Sequence, residues 1–157
     1  MRKLIVPIML VIGVCLAHCS ADTEVKYGTY VNNKFDYEVQ YPEKVLIPQG
    51  EAANGAGQVF ESKDKKAVLR VNGIFNTVDI TLEESFEESQ SGTVTEKVID
   101  EKDAWFQVSG VKDGTAYHVK KYLIEDIYFI YEFEYPEEMK DEYGPINKVM
   151  SESFKVE

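Results

Sequence analysis

Beyond position 19 the chain has no cysteine; its two cysteines are Cys15 and Cys19. A form that starts at or after Cys19 has no intrachain disulfide and no cysteine-based metal site or nucleophile within its folded part. Histidine is almost as scarce, with only His18 and His118. A zinc site wants several nitrogen or sulfur ligands, which one imidazole does not supply, so no metal site is predicted. His118 is also the one available base for a Ser-His-Asp set, and no Gly-x-Ser-x-Gly elbow accompanies it. Gly50 and Gly55 have P-loop spacing, but Ala56 and Gly57 stand where lysine and a hydroxyl would have to grip phosphate and magnesium. No Asp-x-Asp-x-Asp-Gly calcium loop is present. The sequence thus shows no catalytic constellation and implies no cofactor.

Long apolar runs are missing as well, with one exception at the start. Arg2 and Lys3 precede 13 residues, Leu4 to Leu16, without a charge. A spanning helix needs about 20 apolar residues to cross roughly 30 Å of hydrocarbon. This run has instead the length of the core of an export signal, and residues 1–18 are predicted to be a signal peptide. Two cuts compete. Leu16-Ala17-His18-Cys19 resembles a bacterial lipobox, with Cys19 as the lipid attachment site; it departs at His18, where Gly or Ala is usual. Alternatively, cleavage after Ala21, with Cys19 and Ala21 as the small residues, releases a protein without an anchor. An uncleaved anchor is the third reading. In a Gram-negative host, Ser20 after a lipidated cysteine favours the outer membrane by resemblance to known sorting rules.

Positive charge is in short supply. The chain has 17 Lys+Arg against 28 Asp+Glu. Arg2 and Lys3 leave with the signal and no acid precedes Asp22, so the processed chain carries 15 basic and 28 acidic residues, a net charge of −13. Nucleic acid and anionic membrane surfaces repel such a protein, so neither is an expected partner, and membrane contact is expected only through a lipid on Cys19.

The remainder divides into a tether, residues 19–30, and a single domain, residues 31–157, long enough to bury a core of its own. Phe35, Tyr37, Val39 and Tyr41 alternate with Asp36, Glu38 and Gln40, which predicts a half-buried strand ended by Pro42. Residues 43–58, with Pro48 and three glycines, read as a loop. Strands follow at Val59–Ser62 and Ala67–Phe75. Thr81 and Glu84 form a capping-box pair that opens a helix with Leu82 and Phe86 inward, stopped by Ser91-Gly92. Thr93–Ile99, Ala104–Val111 and Thr115–Ile124 read as strands, the last two joined by the tight-turn dipeptide Asp113-Gly114. Ile127–Tyr135 alternates so strictly that it is predicted to be a central strand. Met139, Tyr143, Ile146, Met150 and Phe154 form the apolar stripe of a last helix, with a kink or restart expected at Gly144-Pro145. Strands joined by hairpins, with one helix in the middle and one at the end, give an α+β fold with a mainly antiparallel sheet covered by helices on one or both faces.

Two segments carry a family resemblance. Phe35-Asp36-Tyr37-Glu38-Val39-Gln40-Tyr41-Pro42 resembles the opening strand of PsbP-like domains. Tyr131 to Pro136, then Tyr143-Gly144-Pro145-Ile146 and Ser153-Phe154-Lys155, is similar to their close. The resemblance implies an antiparallel sheet sandwiched by helices and a superfamily whose members typically bind protein partners, among them the photosystem II extrinsic subunit and a factor acting on the Ran GTPase. These motifs mark strand ends and core positions rather than chemistry.

Carboxylates are plentiful at Glu83, Glu84, Glu87 and Glu88, and again at Glu137, Glu138, Asp141 and Glu142, but both sets lie off the apolar stripes and read as solvated helix faces. Trp105 shares a strand face with Gln107 and Ser109, and His118 shares one with Lys120 and Tyr122. Trp105, His118 and Tyr122 are therefore the candidate partner contact, unless a helix covers that face and Trp105 belongs to the core. The expected function is a non-catalytic cell-envelope module that binds a protein partner; the alternative is a periplasmic small-ligand protein or a hydrolase using carboxylates.

Overall fold

The computed structural model describes residues 25–156. The predicted signal peptide, Cys19 and the first part of the tether lie outside the described residues. Ten strands and two helices follow: β1 (Tyr27–Asn32), β2 (Tyr37–Pro42), β3 (Ile47–Glu51), β4 (Gly57–Glu61), β5 (Val68–Phe75), α1 (Leu82–Glu88), β6 (Thr93–Asp100), β7 (Trp105–Lys112), β8 (Thr115–Ile124), β9 (Ile127–Pro136), α2 (Lys140–Ser153) and β10 (Lys155–Val156). A 3₁₀ turn, Glu137–Met139, leads into α2. Seven strands form one sheet in the order β3-β4-β5-β9-β8-β7-β6, and three form a second, β1-β2-β10. Every pairing is antiparallel. The α+β, antiparallel fold expected from the order of elements is the fold observed.

Alternation in β9 decides the layering. Phe129, Tyr131, Phe133 and Tyr135 are all buried on one face, as the sequence predicts, and β9 lies at the centre of the large sheet. That face receives α2 and the small sheet. Tyr143, Ile146 and Met150 of α2, Tyr37 and Val39 of β2, and Leu69 and Val71 of β5 share one core with it. Phe154, at the end of α2, is the plug between the layers: its ring lies 5.8 Å from Tyr37, 5.8 Å from Tyr131 and 5.9 Å from Tyr122. Edge-on and tilted packing at these separations is the favoured geometry for aromatic rings. The other face carries a smaller core, in which Leu82 and Phe86 of α1 meet Phe106, Val108, Tyr117 and Tyr128. The cover of the large sheet is therefore unequal: helix and small sheet on one face, the short α1 on the other.

The residues of the family resemblance have structural work. The Pro42 carbonyl accepts from Val45 N and Leu46 N, turning the chain after β2. Ser153 Oγ accepts from Gln40 N at 2.9 Å and donates to Met150 O at 2.7 Å, fastening the end of α2 to β2. Lys155 and Val156 then extend the small sheet by pairing with Glu38 and Tyr37.

Three local expectations change. Part of the predicted tether is strand: β1 starts at Tyr27 and pairs with β2 from Tyr27↔Pro42 to Asn32↔Tyr37. Its apolar content is thin, and the ladder rather than its own pattern holds it. The predicted loop over 43–58 contains β3, an exposed edge strand with a register shift between Pro48 and Glu51. Proline on an edge strand leaves no ladder partner short. The third change concerns Pro145, which sits inside a continuous α2 with no restart. Proline there removes one backbone bond. Buried Tyr143 before it and Ile146 and Met150 after it hold the helix against the sheet on both sides. The capping box of α1 is present as expected, with Thr81 Oγ1 accepting from Glu84 N and Glu84 Oε2 accepting from Thr81 N.

Candidate functional site

The register of β7 and β8 brings the predicted contact residues together. Trp105 pairs with Tyr122, Gln107 with Lys120, and Ser109 with His118. The Trp105 and Tyr122 rings lie 6.4 Å apart, and the Lys120 ammonium sits over both, at 5.6 Å and 5.3 Å. Lys120 Nζ also donates to Ser151 O at 3.0 Å. That carbonyl is near the C-terminus of α2, where helix carbonyls lack intrahelical partners and the dipole is negative, so the lysine caps the helix. This strand face is the one α2 packs on. Trp105 and Tyr122 are half-buried.

His118 is fully engaged. Its Nδ1 lies 2.9 Å from Ser109 Oγ and its Nε2 2.9 Å from Tyr135 OH, with the ring stacked on Tyr135 at 5.5 Å. Burial, then the charge of Lys140, pushes its pKa down to about 4, so the ring is neutral at pH 7 and one nitrogen donates while the other accepts. Ser109 is buried and the second partner is a tyrosine rather than a carboxylate. The arrangement therefore holds a serine beside a histidine without the acid that orients a hydrolytic triad. It ties three neighbouring strands together.

The opposite face of the large sheet looks different. The alternation that buries Tyr131 and Phe133 turns Glu132 and Glu134 here, beside Arg70 of β5 and Tyr117 and Lys121 of β8. Arg70 and Glu134 form an ion pair at 2.7 Å. Lys121 Nζ reaches Ser85 Oγ of α1 at 3.3 Å and lies 5.7 Å over the Phe106 ring. Burial lowers its pKa, opposed by the charges of Glu132 and Glu88. Beside α1, Glu88, Tyr117, Lys121, Glu132 and Glu134 line a cleft of about 640 Å³. A smaller hollow of about 150 Å³ shares Glu88 and Lys121 with it and is otherwise lined mainly by Ile74, Phe75, Val78, Ile80 and Ile130. No group of three or more His, Cys, Asp or Glu side chains among the described residues could hold a metal ion.

At the end of the sheet beside that hollow, apolar side chains face solvent. Ile74 is 42% exposed, Phe75 62%, Val78 71% and Ile124 37%. Phe75 pairs with Ile127, which pairs with Ile124, so three of the chain's apolar positions form one row across β5, β9 and β8. Tyr128 donates to Thr81 O at 2.8 Å, and Asn76 bonds Ile80 through both its amide atoms, which fixes the connection carrying Val78. Sequence reading passed over this patch. The signal was present: after the alternation of β5 ends at Ile74-Phe75, apolar residues recur at Val78 and Ile80, inside a connection where polar residues are the rule.

No family model matches the chain. No curated protein matches it either. Solved structures do. The solution structure of cyanobacterial PsbP (CyanoP) from Synechocystis is similar with a TM-score of 0.60 and 15% identity, over 90% of this chain and 99% of that one. A crystal structure from Bacteroides thetaiotaomicron is similar with a TM-score of 0.51 and 11% identity, over 82% of this chain and 48% of that one. The antiparallel sheet with its two helices is the PsbP-like fold.

Proposed function

We propose that this chain is an exported, non-catalytic module of the bacterial cell envelope that binds a protein partner through the apolar end of its large sheet. One observation carries the reading: at one end of the sheet Ile74 and Val78 stand exposed beside a hollow on the face that, among the described residues, α1 covers, and Phe75 and Ile124 stand exposed at the same end on the face shared with Phe35. Isolated exposed apolar residues are ordinary, whereas a contiguous set beside a concavity marks a surface that another molecule covers. The Arg2-Lys3 start and the apolar run to Leu16 support export, and Leu16-Ala17-His18-Cys19 supports lipid attachment at Cys19. The lack of a helix among the described residues long and apolar enough to cross a membrane is consistent with attachment through the N-terminus.

The test is capture from solubilised envelopes on the immobilised domain, with Val78→Ser and Trp105→Ala beside the parent. A partner retained by the parent and by Trp105→Ala, but lost by Val78→Ser, supports the reading. Loss on Trp105→Ala alone moves the contact to the Trp105–His118–Tyr122 face. Intact mass of the protein from a membrane fraction decides the anchor: diacylglycerol on Cys19 supports it, and a start at Asp22 overturns it.

The cleft of about 640 Å³ lined by Glu88, Glu132, Glu134 and Lys121 supports a second reading, a small-ligand site or carboxylate hydrolase. A metabolite that raises the melting temperature, with the shift abolished by Glu132→Gln, is the expected result under that reading.

A further inference from the structure

The patch at the sheet end has an acidic border. Asp79 lies between Val78 and Ile80, Glu125 and Asp126 form the turn after Ile124, and Asp36 follows Phe35, whose ring packs on Phe75 at 5.5 Å. All four carboxylates are exposed. Asp126 is held against the patch by the bond from Asn76 N to its carbonyl, 2.7 Å. The two ion pairs of the described residues, Lys26–Glu43 and Arg70–Glu134, involve none of them. Two cations lie close by, Lys34, whose Nζ is 5.0 Å over the Phe35 ring and donates to Asn54 O at 2.8 Å, and Lys121, which lines the hollow and donates to Ser85 Oγ; neither forms an ion pair with these carboxylates.

We infer that the segment received at this surface is cationic and apolar, a bulky apolar side chain flanked by lysine or arginine from a partner protein. This rests on the partner-binding reading above and adds the partner's chemistry. Covering Phe75 and Val78 removes water from carboxylates that form no ion pair among the described residues, and such groups are stabilised when the incoming surface brings opposite charge. An acidic or neutral segment leaves them uncompensated. The same border disfavours a bilayer as the occupant, because anionic headgroups are repelled where the apolar side chains would have to enter.

The experiment measures fluorescence anisotropy of two labelled peptides with the same Leu-Phe centre, one flanked by lysines and one by glutamates, and sedimentation with phosphatidylglycerol vesicles. The proteins are the domain, Val78→Ser, and the double variant Asp79→Asn/Asp126→Asn, in which asparagine tolerates the positive φ of 54° and 60° at those positions. The inference predicts that the lysine-flanked peptide binds about tenfold tighter than the other, loses binding with Val78→Ser, and weakens several-fold with added salt or in the double variant. Equal binding of both peptides at a site sensitive to Val78→Ser overturns the charge claim and leaves the docking surface standing. Absence of saturable binding by either peptide overturns the inference, while envelope capture reads the partner-binding proposal separately. Vesicle binding that Val78→Ser abolishes overturns it in favour of a membrane.

Discussion

His118 Nε2 lies 2.9 Å from the Tyr135 hydroxyl, with the two rings stacked 5.5 Å apart. The contact joins β8 to β9 beneath α2, and it works with a neutral imidazole. In the fold the His118 pKa falls to about 4 from 6.5, through burial first and then Lys140. A depressed folded value means that the stability is fully present above the unfolded pKa, near 6.5, and is lost as the pH falls through the folded one, near 4. A shift of this size corresponds to roughly 3 kcal/mol at its full extent. Urea midpoints between pH 7 and pH 4 should fall more steeply for the parent than for His118→Gln, and the difference between the two curves isolates the histidine from the titrating carboxylates. Parallel curves would contradict the assignment.

Asn32 organises the first hairpin. Its Oδ1 accepts from Lys34 N and Phe35 N at 3.2 Å and 2.9 Å, and its Nδ2 lies 3.0 Å from Tyr30 OH, 3.2 Å from Glu51 Oε1 and 3.0 Å from Gly55 O. Asn32→Ala leaves buried partners unsatisfied and should cost about 2–3 kcal/mol in chemical denaturation. Asn32→Asp removes the donors and puts a carboxylate beside Glu51, so it should be at least as destabilising, and more so at pH 7 than at pH 4.

Gly110 is bare because Tyr117 crosses it. A Cβ there would stand 2.5 Å from Tyr117 Oη and 2.6 Å from Thr93 O. That hydroxyl donates to Ser91 O at 2.6 Å and accepts from Ser91 N at 3.0 Å, which fixes the chain between α1 and β6. Gly110→Ala should displace the ring and cost about 1–3 kcal/mol, seen as a lower Tm. Combining it with Tyr117→Phe should cost less than the sum of the two, since both act on one contact.

Thr81→Ala removes one arm of the capping box and should destabilise by about 1 kcal/mol. Because α1 is the helix that packs over Phe106 among the described residues, hydrogen exchange in Leu82–Glu88 should quicken more than in β9.

Legibility followed how much of each element's stability is written in its own side chains. In β9 and α2 the apolar period is complete, and their faces could be read directly. The β1 and β3 strands are held by pairing with β2 and β4, and their own residues, with Gly28 in one and Pro48 in the other, carry no period. Pro145 misled because local propensity favours a helix start, whereas the packing of Tyr143, Ile146 and Met150 carries the helix through it. At the candidate site, alternation placed Trp105, His118 and Tyr122 on their strand faces. The sequence could not say that Ser109 and Tyr135 would close around His118, since those partners come from other strands. Nor could it show that Ile74 and Val78 stay uncovered, because exposure depends on the short reach of α1.

Where the partner touches separates the apolar sheet end from the Trp105 face most directly. A photoreactive phenylalanine analogue at position 75 in the full chain, with position 105 as comparison and exposed Lys44 as control, should be irradiated in intact cells. The expected result is a protein adduct from position 75, abolished by Val78→Ser, and none from Lys44. An adduct from position 105 with none from 75, or no adduct from either, would contradict it.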